Sequence, residues 1–428
     1  MRAERHYLFI IVVVSCVRTL CAPVVFASEP KQQAPAGLWD GSIQSRAGEV
    51  TFGIELKSQA GGLAAVLVNA TDRQPFSSAT WDGKTLTLRL DYYDGQLVLH
   101  FALPQRIEGE YSRQTSNGMM HIPVTLVPHQ DSSATKPRTG PSLSGEWLFH
   151  GGDDKRTLAS FQQQTMATPD GKVAATGILE PVSGDTGLLH GEVGRGADGQ
   201  VHFHLSRFDG IHVLALDGEF QPDGSLKGQL GGVKAATPFT AERSNDAAGV
   251  NPNALAGSLT KVKDPREPFR FSGVDQSGKI VDQNNAEFKG KPVIVDIFGT
   301  WCPNCHDESP TLELLYRKYH AQGLEIVGLA YEYVDNTARD LRQIGIYRDK
   351  YGLTFPLLLA GTTEEGQIEK TLPQLVNFGA FPTTIFLNRS GHVHAIHAGF
   401  AGPSTGEKYQ EVQQHMDQLT REIVGPSN

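Results

Sequence analysis

Cys302 and Cys305, in the run Trp301-Cys302-Pro303-Asn304-Cys305, are the residues of this 428-residue chain whose types and spacing most directly specify chemistry. A disulfide between residues three apart closes too small a loop to restrain an unfolded chain much, so a chemical role fits the pair better than a structural one. The run follows an apolar stretch, residues 292–298, broken only by Asp296 and consistent with a buried strand. After it, Leu312, Leu315, Tyr316 and Tyr319 recur at helical spacing. At a helix N-terminus the unpaired backbone N–H groups and the dipole favour negative charge, so Cys302 is expected to be partly thiolate near neutral pH. Thiolate is the attacking species in disulfide exchange, and Cys305, one turn in, is close enough to resolve a mixed disulfide intramolecularly.

Other chemistries are weaker in the sequence. Zinc would need a second ligand pair, and the candidates are His306 and the group His392, His394 and His397, which a polar strand edge explains as well. His202 and His204 have the same status. No cofactor is expected beyond a redox-active disulfide. A net charge of -9, with no basic run after the first residues, argues against nucleic acid as a partner.

The first 27 residues read as an export signal: Arg2 and Arg5 precede an apolar run over 7–17, and Val25-Phe26-Ala27 suits cleavage before Ser28. That run is too short to span a bilayer comfortably. Val13-Val14-Ser15-Cys16 resembles a degenerate lipobox, which would instead leave the chain anchored at Cys16. With the signal removed, Cys16 and Cys21 go and only Cys302 and Cys305 remain. The expected location is periplasmic or otherwise extracytoplasmic.

The elements that must position the pair belong to a multidomain chain: two β-rich units, small barrels or sandwiches, over residues 37–127 and 144–243, then an α/β domain over 269–428. A polar linker over 244–268 separates the last two. The β-rich units resemble each other. Trp39 matches Trp147, and Leu86-x-Leu88-x-Leu90 before Asp94-Gly95 matches Val201-x-Phe203-x-Leu205 before Asp209-Gly210. Alternation buries Leu86, Leu88 and Leu90 on one face, and Asp-Gly predicts two-residue hairpins. A further hairpin is expected around Pro222-Asp223-Gly224. From Phe269 onward strand and helix patterns alternate: strands over 292–298, 324–330, 355–359, 383–387 and 392–397, helical patterns through Tyr351, around 364–376 and from Tyr409 to Ile423.

Residues from about 265 to the end resemble the TlpA/ResA-like branch of the thioredoxin superfamily, exported thiol–disulfide oxidoreductases often called redoxins. The resemblance is carried by Phe288-Lys289-Gly290-Lys291-Pro292-Val293, by the Trp301–Cys305 run with Glu308 and Pro310, by Phe381-Pro382-Thr383-Thr384, and by Gly399-Phe400 through Gly406. It covers about two-fifths of the chain and implies a thioredoxin-like fold, with Cys302 as nucleophile, Cys305 as resolving thiol and Pro382 as a cis-proline beside the sulfurs. Asp296 stands where thioredoxin is similar but TlpA-like proteins more often have Asn; a buried carboxyl there should be raised in pKa and able to accept the proton of Cys305. Glu308 matches an acidic residue that ResA-like proteins place near the active site, or simply suits a first helical turn. The resemblance implies reduction of disulfides in substrate proteins, with electrons from a membrane thiol donor. Two other readings stand beside it. A thiol peroxidase would resemble peroxiredoxins in a Pro-x-x-x-Thr-x-x-Cys segment, but Val295 and Gly299 occupy the Pro and Thr positions. A binding or adaptor protein would use the β-rich units for recognition and carry the redox domain as a tethered partner.

Overall fold

The computed structural model describes residues 33–130, 134–151, 157–181, 183–244 and 260–425. The expected signal, with Cys16 and Cys21, and linker residues 245–259 lie outside the described residues.

Both β-rich units close into barrels. In the first, eight antiparallel strands run in the spatial order Gly48–Gln59, Gly37–Ser45, Gly118–Pro128, Arg106–Thr115, Gly95–Leu103, Thr85–Leu90, Ser78–Trp81 and Gly62–Asn69. Gly62–Asn69 pairs back onto Gly48–Gln59, and the short strand Asp72–Pro75 extends the ring. The second barrel runs in chain order from Gly145–His150 to Ala236–Arg243, which pairs back onto Gly145–His150. Closure removes the exposed strand edges that open sheets must protect. Period-two alternation sends Leu86, Leu88 and Leu90 inward, each with no exposed surface. Trp39 and Trp147 occupy the first strand of their barrels, and each indole N–H donates to a carbonyl just upstream, of Ala36 and Leu143.

The Asp-Gly turns differ from the two-residue hairpins expected of them. After Leu90 the chain makes a short helical turn, Asp91–Tyr93, and Asp94, not Gly95, takes the left-handed conformation at φ +50°. The longer connection lets Tyr92 and Tyr93 pack as a buried pair. In the second barrel four residues separate Val201–Phe208 from Val213–Phe220. Around Pro222-Asp223-Gly224 the expected hairpin forms, with Gly224 at φ +87°.

The barrels share a core. Phe208 of the second lies 4.7 Å, centroid to centroid, from Phe52 and 5.0 Å from Tyr111, side chains that face the interior of the first. The Tyr111 hydroxyl donates to the Gly210 carbonyl, and Asn69 Nδ2 donates to Phe208 O at 2.9 Å. Beside them Arg207, almost fully buried, donates to Asp209 (3.0 Å) and to Asp72 of the first barrel (2.8 Å), so the buried cation is paired across the junction.

The α/β domain is a seven-stranded mixed sheet in the order Ile280–Asp282, Ser272–Val274, Leu357–Thr362, Glu325–Glu332, Val293–Phe298, Thr383–Leu387, Val393–Ala398. The central three, Leu357–Thr362, Glu325–Glu332 and Val293–Phe298, are mutually parallel; Thr383–Leu387 and Val393–Ala398 add antiparallel pairings. Helices α1 (Pro303–Tyr319), α2 (Thr337–Tyr351), α3 (Gln367–Thr371) and α4 (Glu407–Val424) accompany them. The helical pattern around 364–376 resolves into α3 and the short strand Leu375–Val376, which pairs with Lys261–Val262 and so anchors the chain upstream of Phe269.

Replacing Phe208 with Ala should cost about 3–5 kcal/mol, because the ring is fully buried between both barrels. Urea unfolding should show the first barrel weakened as well, a result that independent barrels would not give.

Candidate active site

The central strand delivers the chain into α1 through the turn Gly299–Trp301. Glu332, at the end of the neighbouring strand, fixes that turn: its carboxylate accepts from Thr300 N (3.0 Å) and from Thr300 Oγ1 (2.8 Å). Glu332 is fully buried, and burial pushes its pKa up to about 7 against the opposing effect of those hydrogen bonds. Trp301 donates from Nε1 to Tyr331 O at 2.8 Å, stacks on Tyr333 at 4.6 Å and meets Phe381 edge-on at 5.2 Å.

Cys302 is the N-cap of α1 and Pro303 its first residue, where the missing proline N–H costs nothing. Cys302 and Cys305 form a disulfide with Cα atoms 5.3 Å apart, and Cys305 N donates to Cys302 Sγ at 3.2 Å. Both residues are buried, but only Cys302 lines an opening, a cavity of about 390 Å³. His306 carries no charge to assist a thiolate. Burial, with Lys350 nearby, drives its pKa well below the usual range, and its ring is held between Thr300 O (2.8 Å) and the Tyr351 hydroxyl (2.7 Å). Negative charge on Cys302 would therefore be favoured by the backbone N–H groups at the start of α1.

Asp296 is buried on the central strand, on the same face as Ile294 and Phe298, which pack in the cluster that holds both cysteines. Glu308 is not a solvated first-turn acid. It is 1 % exposed, and its Oε1 accepts from Thr384 Oγ1 at 2.5 Å. The Asp296 and Glu308 carboxyls face each other as a hydrogen-bonded pair, and apart from each other Asp296 Oδ1 and Glu308 Oε2 meet no partner among the described residues. Burial raises both carboxyls, Asp296 well above its ordinary range with the Glu308 charge adding to the rise, and Glu308 to about 8. Such a pair retains a proton at neutral pH and titrates as a unit.

Pro382 follows a cis peptide bond after Phe381, and the loop from Phe378 to Phe381 forms one wall of the cavity beside Cys302. The structure thus brings Trp301, Cys302 and the Pro382 loop together at the cavity and places Asp296 and Glu308 together beneath. The histidines are dispersed: His392 contacts Arg266 O and Ser390, His394 contacts Glu422, and His397 lies buried near His415. In the second barrel His202 pairs with Asp198 and His204 with Asp217.

Sequence reasoning missed Glu332 and every barrel residue at the site. Tyr93 packs on His306 at 4.6 Å, Arg339 of α2 pairs with Asp94 at 2.8 Å, and Lys350 lies 3.3 Å from the centroid of the Tyr92 ring. From the second barrel, Pro181, Ser183 and His212 complete the cavity wall. A sharper sequence signal existed for Glu332 alone, as a carboxylate that closes the apolar run over residues 326–331.

Residues 265–396 match the AhpC/TSA family. Over 128 residues the chain is 31% identical to thiol-disulfide oxidoreductase ResA of Halalkalibacterium halodurans, covering 29% of this chain and 64% of that protein. Over 111 residues it is 31% identical to thioredoxin-like protein YneN of Bacillus subtilis, covering 26% and 58%. The chain therefore spans less than two-thirds of the length of these relatives. A solved thiol:disulfide interchange protein of the thioredoxin family from Chlorobium tepidum is 23% identical, covers 39% of this chain and 100% of its own, and superposes with a TM-score of 0.29. The family match falls within the C-terminal part of the chain, and it is this part that is similar to the ResA thiol-disulfide oxidoreductases.

The buried acid pair gives a pH signature. Unfolded carboxyls release their protons near pH 4, whereas the folded pair holds one up to about pH 8. Between those limits the native state binds more protons than the unfolded state, so stability falls as pH rises, by up to about 1.4 kcal/mol per pH unit for one proton. The double variant D296N/E308Q should lose this contribution, and melting curves of the oxidised protein should show a flatter fall from about pH 5 to 8.

Proposed function

We propose that this chain is an extracytoplasmic thiol–disulfide oxidoreductase that reduces disulfides in other proteins through Cys302 and Cys305. The observation that carries the reading is a cysteine pair joined at a helix N-terminus, with only Cys302 bordering an open cavity. In the reduced enzyme the Cys302 thiolate attacks one sulfur of a substrate disulfide. That S–S bond breaks, a mixed disulfide forms on Cys302, and the first substrate sulfur leaves as a thiolate that takes up a proton. Cys305 gives its proton to the Asp296–Glu308 pair and attacks the Cys302 sulfur, which expels the second substrate sulfur as a thiolate that takes up a proton from solvent and closes the enzyme disulfide. Two electrons pass to the substrate, and a membrane thiol donor restores the dithiol. The disulfide serves as the redox group without a further cofactor.

The extracytoplasmic location rests on the signal-like N-terminus; among the described residues no helix is long and apolar enough to cross a membrane. Trp301 acts as a positioning residue by bracing the turn before Cys302, and the loop that leads into Pro382 supplies the cavity wall facing Cys302.

With insulin and dithiothreitol as substrate and donor, Cys302→Ser should abolish reduction and Cys305→Ser should accumulate a one-to-one mixed disulfide visible by mass spectrometry. Asp296→Asn should slow resolution about 10²-fold near neutral pH, the usual contribution of a positioned base. The couple's reduction potential should lie nearer about -270 mV than about -120 mV. Full activity of Cys302→Ser would refute the reading. The AhpC/TSA match also brings a thiol peroxidase into view. Gly299 offers no hydroxyl where peroxiredoxins have threonine, and steady hydrogen peroxide consumption by Cys305→Ser would be needed to favour it.

A further inference from the structure

The loop joining strands Val173–Glu180 and Leu189–Arg195 of the second barrel does not hang free; it lies across the dithiol face of the redox domain. Gly184 pairs with Phe400 in a parallel bridge, at a backbone that also receives Asn304, the residue just before Cys305, through Nδ2 to Phe400 O at 3.0 Å. The approach is so close that a Cβ on Gly184, at φ +141°, would fall 1.7 Å from Asn304 Nδ2 and 2.9 Å from Phe400 O. Asp185, 6 % exposed, accepts from Gly402 N at 2.6 Å and from Gly187 N at 2.7 Å. Thr186 N donates back to Leu179 O at 3.0 Å, and Glu180 receives both contacts of Lys408 Nζ at 2.8 Å. Such a set of buried and paired anchors belongs to a wall and not to a frayed loop.

What remains open above Cys302 is the cavity of about 390 Å³, with Trp301, Phe378 and Phe381 on the redox-domain side and Pro181, Ser183 and His212 opposite. That volume lies at the small end of ligand pockets, roughly 300–1,000 Å³. Even a transient redox encounter between folded surfaces buries up to about 600 Å² on each side. The second barrel stands on the ground such a face would occupy.

We infer that this loop is a specificity wall: the site takes a disulfide carried on a narrow, extended peptide segment and discriminates against one held in the surface of a folded protein. The inference rests on the reading of Cys302 and Cys305 as an exchange pair. An extended segment can pass its cysteine between the aromatic side and the side lined by Pro181, Ser183 and His212, whereas a folded domain meets the barrel first. The chemistry is unchanged: the Cys302 thiolate attacks the peptide's cystine sulfur, the partner sulfur leaves and takes a proton, and Cys305 resolves the mixed disulfide. The electrons come from the reduced dithiol, recharged by dithiothreitol in the assay.

The test measures the full chain with three probes: dithiobis(nitrobenzoate), a linear peptide disulfide and insulin. It compares wild type with Asp185→Ala, which removes the anchor to Gly402, and Gly184→Val, which pushes the loop off Asn304; circular dichroism checks that each variant is folded. The expected result is a rise of about tenfold in the insulin-to-peptide rate ratio in both variants. An insulin-to-peptide ratio in folded Asp185→Ala that equals the wild-type value overturns the wall. Failure of reduced wild type to act on dithiobis(nitrobenzoate) overturns instead the exchange reading beneath it.

Discussion

A disulfide at the start of a helix is useful only if the first helical turn is held still while one sulfur stays reachable, and most of the architecture answers to those two demands. The holding is done from below and behind. Glu332 grips Thr300, Trp301 is tied to Tyr331, and His306 reaches back to Thr300 O from inside α1. Each contact ends on the backbone or side chain of the three residues before Cys302, so the turn has little freedom left. Three buried acids, Asp296, Glu308 and Glu332, surround this region. Burying acids is costly, and concentrating them at one place is the pattern of a site that handles protons, not of a core built for stability alone.

The barrels belong to the site physically. The Asp91–Tyr93 turn of the first is pinned to α2 by Asp94–Arg339 and by Gln343 Nε2 donating to Asp91 O at 2.8 Å, and its Tyr93 leans on His306, the residue after Cys305. The second barrel reaches the other side of the pair through Gly184 and Asp185. With one barrel against each flank of α1, the redox domain is clasped, which is a different arrangement from a catalytic unit carried on a flexible tether.

Much of the α/β domain was legible because its signals are local. A continuous apolar run, a helical stripe and a cysteine pair between them specify a strand, a helix and a reactive junction within some two dozen neighbouring residues. Leu86, Leu88 and Leu90 were legible for the same reason. The Asp94-Gly95 turn was misread because dipeptide preference describes an isolated hairpin, while here two tyrosines needed a longer connection to reach another domain. The burial of Glu308 followed from Thr384, distant in sequence, and no periodicity reports such a partner. Nothing local in Pro181 to Thr186 or in Asp91 to Asp94 says that these turns meet the redox domain. Their neighbours lie hundreds of residues downstream, beyond the range of any spacing rule.

The shared core of the barrels has a consequence for how the chain comes into being. The rings of Phe52 and Tyr111 are packed by Phe208, which belongs to the fifth of the second barrel's eight strands. A polypeptide growing from its N-terminus at roughly 5–20 residues per second therefore completes the strands of the first barrel several seconds before its plug exists. During that interval the nascent barrel presents an apolar opening, and any helper that shields emerging chains has its natural target there.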